Sequence, residues 1–514
     1  MQRREIENAT LAAFIILPAV GWFVGLSYER LPMQPMPQAL GEAIKQTPNQ
    51  PWMLTGLLVG ALIAGVLTWY MNTRCDDMFR GAPYRRWMRG SKLVNCHQLK
   101  RKVQLANRVE NQKRKRAGQP ALEAIKIGDT PMPIHLENRN TLICASVGSG
   151  KSVAMESMIS CALKRRDKMA VIDPNGTFYS KFCFPGDVVL NPFDKRSEGW
   201  SLFNEIRGVH DFDRMAKSVI PPQVDPSDEQ WCAYARDVLA DTMRKLVEIN
   251  EPSQERLVDL LIREDGETIR GFLANTDSQG YFRDNAEKAI ASVQFMMNKY
   301  VRPLRFMKHG EFSLYRWVHD PNAGNLFITW REDMRSAQRP LVATWIDTIC
   351  ATILSYEPMT GARLWLFLDE LESLGKLESF VPAATKGRKH GLRIVGSIQD
   401  WAQLDEVYGR DSAKTLLACF RNYLIFGASN ALNAHKASEI LGRQQVEREQ
   451  ITLNRGGRSR NVRAEAPEFV VMDSEISNLR DLHGYVHFAE DFPIAKITLP
   501  YVDHPVRTKA IEVR

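Results

Sequence analysis

The eight cysteines, Cys75, Cys96, Cys144, Cys161, Cys183, Cys232, Cys350 and Cys419, form no C-x-x-C pair and no zinc-like Cys/His spacing. That excludes the usual signatures of a zinc module and predicts reduced, buried thiols in a cytosolic body. Strong charge of one sign is also missing: 68 Lys and Arg against 60 Asp and Glu leave a formal +8. For 514 residues this is a small excess, mildly favourable for meeting a polyanion and no proof of one. What is present is the balance of a folded globular protein, 25% charged and 44% hydrophobic, in a chain too long for one core. Two or three domains are expected.

The amino end differs in kind. Uncharged, mostly apolar stretches run over about 11–28 and 53–71, each close to the ~20 residues that cross a bilayer. Trp52 opens the second stretch and Trp69 with Tyr70 closes it, as amphipathic rings do at headgroup level. The Glu29–Trp52 connection is proline-rich with balanced charge, whereas Arg74, Arg80, Arg85, Arg86 and Arg89 crowd the exit of the second stretch. The positive-inside rule then predicts two spans, a short periplasmic loop and both termini in the cytoplasm. A cleaved signal peptide is the competing reading; it lacks a clear small-x-small site and carries Glu5 and Glu7 in its first region. Gly56-x-x-x-Gly60 and Ala61-x-x-x-Gly65 offer close helix contacts.

Beyond a basic segment, Leu99–Arg116, short apolar runs alternate with turns and amphipathic stretches, the α/β pattern. The runs 140–145, 170–173, 188–193, 326–330, 364–369, 393–397 and 423–427 read as strands of a parallel sheet buried on both faces. Between about Arg207 and Met307 strands are lacking. Trp231, Tyr234, Ala235, Val238, Leu239, Thr242 and Leu246 repeat there at helical spacing, as do Ala286, Ile290, Val293, Met297 and Tyr300. The partition expected is a transmembrane anchor over 1–75, a nucleotide-binding domain in two parts, 76–205 and 309–514, and an inserted all-α domain over 206–308.

The segment Ala145-Ser-Val-Gly-Ser-Gly-Lys-Ser152 follows a predicted strand and opens an amphipathic run, the context a P-loop requires. Gly148 and Gly150 let successive N–H groups face a β-phosphate, Lys151 adds charge at the β- and γ-phosphates, and the Ser152 hydroxyl suits Mg²⁺. Nucleotide contacts are expected along Ala145, Ser146, Val147, Gly148, Ser149, Gly150, Lys151, Ser152 and Val153. The usual pattern starts with glycine; alanine fits at 145 if that residue needs no positive φ. The partner acids end the apolar run Leu364-Trp-Leu-Phe-Leu-Asp369-Glu370: Asp369 to hold the metal and Glu370 to deprotonate the attacking water. Gln399, at the end of the 393–397 run, suits a γ-phosphate sensor. Lys386, Arg388 and Lys389 form a basic cluster that reads either as a solvated loop or as the source of an arginine finger. The absence of an L-S-G-G-Q-like signature argues against an ABC transporter.

These motifs, with Val171-Ile-Asp-Pro-Asn-Gly176, Ile328-Thr-Trp-Arg-Glu-Asp-Met-Arg335, Phe367-Leu-Asp-Glu-Leu-Glu-Ser-Leu374 and Gly387-Arg-Lys-His-Gly391 through Ser397-Ile-Gln-Asp400, resemble the type IV secretion coupling proteins of the TrwB/TraD type, plasmid conjugation ATPases. The resemblance covers nearly the whole chain. It implies a RecA/FtsK-like P-loop NTPase domain with an inserted all-α domain behind an N-terminal two-helix transmembrane anchor, assembled as a hexamer around DNA. It further implies ATP with Mg²⁺ as ligands, Lys151 and Ser152 at the nucleotide, Asp369 and Glu370 as the acid pair, Arg388 as a finger in trans and Gln399 as the sensor. The partners it implies are DNA bound largely without sequence preference, relaxase or relaxosome proteins, inner-membrane components of the secretion system and the bacterial inner membrane. The basic segments Lys100–Arg116 and Arg455–Arg463 suit DNA phosphates or anionic lipid alike. Two other functions stay open on the sequence: an ATP-switched membrane receptor that recruits the relaxosome without moving DNA, and an FtsK-like DNA pump. The latter is expected to carry more spans and a winged-helix end, neither of which is visible.

Overall fold

A computed structural model describes residues 3–28, 44–45, 47–75, 86–223, 225–282, 287–357, 363–454 and 457–514. Most of the proline-rich connection after Glu29, together with Arg80, Arg85, Ala286 and Arg455, lies outside the described residues, as do the side chains of Trp69, Tyr70 and Arg74. The chain divides into two compact units, 1–90 with 444–468, and 91–443 with 469–514.

In the first unit, two helices, Arg3–Tyr28 and Pro51–Cys75, pack against each other through glycines. A Cβ on Gly21 would overlap the Gly56 carbonyl oxygen, and one on Gly60 would overlap the Leu17 carbonyl oxygen, so only hydrogen permits the approach. Gly65, expected to share this role, has open space around it. Trp22 Nε1 donates to Thr47 Oγ1 at 2.8 Å, and Trp22 with Met53 forms a small buried cluster. Side chains are described over 14–27 and 51–67, and among the described residues no helix is long and apolar enough to cross a membrane. The unit also contains strand Arg86–Gly90, which pairs antiparallel with the start of the first strand of a long hairpin, Arg443–Asn454 and Gly457–Ala464. Of the basic stretch Arg455–Arg463, residues 457–463 fall on that hairpin's returning strand.

The second unit is built on a ten-stranded sheet. In chain order its strands are β1 (Leu93–Val94), β2 (Thr141–Cys144), β3 (Lys168–Pro174), β4 (Val188–Leu190), β5 (Leu326–Trp330), β6 (Leu364–Leu368), β7 (Leu392–Ile398), β8 (Asn422–Ile425), β9 (His483–His487) and β10 (Ile494–Thr498). The spatial order is β1-β10-β9-β8-β2-β7-β6-β3-β5-β4. From β8 to β4 the seven strands are parallel, whereas β9 and β10 add antiparallel pairings. Each of the seven strand runs read from sequence coincides with one of β2–β8. Alternation along those runs divides two cores: Leu142, Ile172, Ile328, Leu366 and Leu368 face one layer of helices, while Ile143, Val171, Phe327, Trp365 and Phe367 face the other. Every residue of β5 and β6 is buried, which is why these runs are continuously apolar.

Between β4 and β5 the described residues form helices and no strand. Aspartate and serine caps start these helices: Asp225 accepts from Ser227 N and Asp228 N, and Ser253 from Arg256 N. Both ends of the segment are clasped by Glu205, whose buried carboxylate accepts from Trp200 Nε1 (2.9 Å), Leu314 N (2.7 Å) and Tyr315 N (2.9 Å). The cysteine expectation is corrected in part. The seven cysteines whose side chains are described are free thiols, but only Cys144, Cys232 and Cys350 are buried; Cys96 and Cys161, in helices, and Cys183 and Cys419, just past helix ends, are half-exposed.

Candidate nucleotide site

Register sets the site. Cys144 pairs with Ile398, Gly396 with Leu368 and Leu368 with Ile172, so β2, β7, β6 and β3 end at one edge of the sheet. The loops leaving β2, β7 and β6 carry Ala145–Ser152, Gln399 and Asp369–Glu370, and the tip of β3 carries Asp173. Strand β7 lies between the phosphate-loop strand β2 and the acid-bearing strand β6, and its tip therefore reaches both.

The loop after β2 is tied down at its base: Ala145 N donates to Ile398 O (3.2 Å), Ser146 N to Gly427 O (2.7 Å), and Ser149 Oγ to Ser146 O (2.7 Å). Gly148 has φ +79° with open space beside it, and Gly150 has φ +122° against Leu482 and Leu499, conformations that favour glycine. Ala145 is not among the positive-φ residues, so alanine costs nothing there. The helix Lys151–Lys164 starts at the loop's end. Among the described residues, the N–H groups of Gly148, Gly150, Lys151 and Ser152 donate to no protein acceptor. Val147 is 86% exposed and the Ser152 hydroxyl is exposed, while Val153 is half-buried.

Lys151 Nζ lies 3.0 Å from Asp369 Oδ1 and 3.4 Å from Glu370 Oε1. Burial alone would lower the lysine's pKa, but the two carboxylates outweigh it and hold the ammonium above its ordinary value. Glu370 sits in the left-handed region at φ +57°, held by its N–H donating to Ser397 Oγ at 3.0 Å. The same hydroxyl donates to Asp369 Oδ1 at 2.8 Å. Gln399 Nε2 donates to Glu370 Oε1 at 2.7 Å, and Gln399 N to Glu372 Oε1 at 3.0 Å. One side, Asp173, is buried at the tip of β3; desolvation pushes its carboxyl up to about 7 although Tyr179 N donates to it at 2.7 Å.

Lys151, Ser152, Asp369, Glu370 and Gln399 are thus brought together with the whole loop 145–153. Arg388 is not. It lies before β7 begins, in the turn Gly387–His390, exposed, and its side chain makes no hydrogen bond or ion pair among the described residues. Seven residues of β7 at ~3.3 Å each place it about 20 Å from Gln399. Three members of the cluster were not singled out from sequence as site residues: Ser397, Glu372 and Asp173. Each lies within a quoted motif, but only the strand register shows which of them face the acid pair.

The arrangement suits a nucleotide and a divalent cation: unclaimed N–H donors in a curled loop, an ammonium currently shared by two acids, and a free hydroxyl beside it. Comparison with known proteins points the same way. The family model for the type IV secretion-system coupling protein DNA-binding domain matches residues 124–500. The coupling protein TraD of Escherichia coli (strain K12) is 28% identical over 401 residues, 74% of this chain and 55% of TraD. The chain therefore spans about half the length of that curated relative. The unbound monoclinic form of the bacterial conjugative coupling protein TrwBdeltaN70 superposes with a TM-score of 0.78 at 39% identity, over 84% of this chain and 98% of that one. The plasmid coupling protein TrwB in complex with ADP and Mg²⁺ gives 0.76 at 39% identity, over 85% of this chain and 100% of that one.

Proposed function

This chain belongs to the type IV secretion-system coupling proteins of the TrwB/TraD family, and on that premise we propose that it is a membrane-anchored, DNA-dependent ATPase. In this reading it couples a relaxase–DNA complex to a type IV secretion channel and pumps DNA during bacterial conjugation. The observation that carries the proposal is Lys151 held between Asp369 and Glu370, with Gln399 bonded to the same Glu370 oxygen. ATP is the substrate and Mg²⁺ its counter-ion, as ADP and Mg²⁺ are the ligands of TrwB.

When phosphates arrive, Lys151 exchanges its carboxylates for them, and the N–H groups of Gly148, Gly150, Lys151 and Ser152 donate to their oxygens. Ser152 and Asp369 hold Mg²⁺, which supplies charge neutralisation at the phosphate oxygens. Release of Lys151 frees Glu370 to accept a proton from water, while Gln399 fixes the carboxylate and reports the γ-phosphate to the rest of β7. Arg388, exposed and unpartnered at the far end of β7, fits a role at a neighbouring subunit's nucleotide in a hexameric ring.

Anchoring is supported by the first unit. Ile15, Ile16, Phe23, Val24, Leu58, Leu62 and Val66 are exposed along its helix pair, a surface suited to hydrocarbon rather than water. Both termini and the ATPase domain would then be cytoplasmic, at the bacterial inner membrane. The test is DNA-stimulated ATP hydrolysis by the full chain, mixed in increasing proportion with Arg388→Ala. The expected outcome is a loss of activity steeper than the variant fraction; a loss in simple proportion contradicts a shared site.

A further inference from the structure

The helix Cys96–Arg116 takes no part in the nucleotide site and precedes the matched family domain. Its inner face is Leu99, Val103 and Asn107, all buried. At 100° per residue the opposite face carries Arg101, Leu105, Arg108, Val109, Lys115 and Arg116, all exposed. Lys102 on its flank is engaged, by the Asp491 carbonyl and the Phe492 ring. The one acid of the helix, Glu110, is half-buried and 3.9 Å from Lys113. By contrast the side chains of Arg101, Arg108, Lys115 and Arg116 make no hydrogen bond, ion pair or ring contact among the described residues. Between these cations Leu105 keeps 58% and Val109 52% of its surface.

Alongside runs an open groove of about 940 Å³, whose lining includes Gln104, Arg108, Gln112, Lys115 and Lys126. Of its two acids, Glu123 pairs with Lys126 at 3.5 Å and Asp129 comes from the same facing segment. A solvated face accounts for the cations alone, and so does nucleic acid, whose phosphate backbone offers aliphatic side chains nothing. An anionic bilayer surface accounts for both: guanidinium and ammonium groups meet phosphates while short aliphatics reach the headgroup–acyl boundary.

We propose that the helix Cys96–Arg116 is a membrane-surface helix whose outer face binds anionic phospholipid headgroups, with the adjoining groove accepting the phosphate. This rests on the membrane-anchored reading, because only an anchored chain holds the helix near lipid at all times.

The test places the full chain in nanodiscs of phosphatidylcholine alone or with one third phosphatidylglycerol and follows amide hydrogen exchange over residues 96–116. Slower exchange on the anionic discs is expected. Neutralising Arg101→Ala with Arg108→Ala should weaken the contact about twenty-five-fold, at fivefold per cation, and restore the neutral-disc rate. Leu105→Ser with Val109→Ser should do the same without changing charge, and ATP hydrolysis should be unchanged in both variants. Equal exchange on the two discs overturns the proposal, as does protection by a single-stranded oligonucleotide on neutral discs that matches the lipid effect. A chain that enters neither disc refutes the anchor instead; flotation with the same two lipid mixtures as vesicles then decides, and no preference for the anionic one overturns this proposal too.

Discussion

Both edges of the parallel sheet hold a charge cluster, and they differ in what each leaves unpaired. At the edge where the strands start, Glu137 and Asp167 have every carboxylate oxygen engaged. Arg165 takes Glu137 with two bonds, at 2.7 and 3.1 Å, and Asp167 at 2.9 Å; Arg363 reaches both acids, and Trp365 Nε1 donates to Asp167 at 2.9 Å. At the edge where the strands end, one lysine serves two acids, four N–H groups face outward and Glu370 adopts an unfavourable φ. A cluster closed on itself fastens segments together. A cluster with spare donors and a mobile counter-charge can take a ligand.

Breaking the closed edge should have the largest effect. Glu137→Ala leaves Arg165 and Arg363 short of a buried acceptor, a loss of about 3–5 kcal/mol measured by chemical denaturation, with hydrolysis per folded molecule unchanged. If stability held while hydrolysis vanished, the closed edge would be part of the chemistry and the contrast would collapse.

Asp173 sharpens the comparison, because it is a buried acid at the open edge with one oxygen lacking any protein donor. Its carboxyl is raised to about 7 in the fold, above its value near 4 in an unfolded chain. A proton is therefore held more tightly by the folded state; the stability this confers is present at low pH and lost as pH rises through 4 to 7. From pH 5 to pH 8 the wild type should lose about 2–3 kcal/mol from this group, and Asp173→Asn should remove that dependence. An unaltered pH profile in the variant would show that burial does not govern this carboxyl.

The smallest effect belongs to Ala145. Because its φ is not positive, Ala145→Gly should cost no more than about 1 kcal/mol and leave ATP affinity as it was. Tighter binding would mean that the loop's first position limits the cradle.

The open edge was largely legible in the sequence because its parts are local. Strand, glycines and lysine are contiguous from 141 to 152, and Asp369 and Glu370 follow an uninterrupted apolar run. The closed edge was not, since Glu137, Arg165, Asp167 and Arg363 sit in three separate connections and meet only when β2, β3 and β6 align. Strands β9 and β10 escaped notice for another reason: HGYVH and IAKIT are short, and strands in antiparallel pairings lack the continuous apolar signature of the parallel ones. The Arg443–Ala464 hairpin hid behind its charge. Gln399 was found, but its bond to Glu370 required knowing that β7 lies between β2 and β6.

Glu370→Gln tests the contrast most directly, since the amide keeps an oxygen for Gln399 and cannot take a proton from water. Equilibrium binding of ATP with Mg²⁺ and phosphate release by the same DNA-bound full chain should separate, with binding retained and hydrolysis reduced about 10²-fold or more. Hydrolysis near the wild-type rate, with binding intact, would contradict the account.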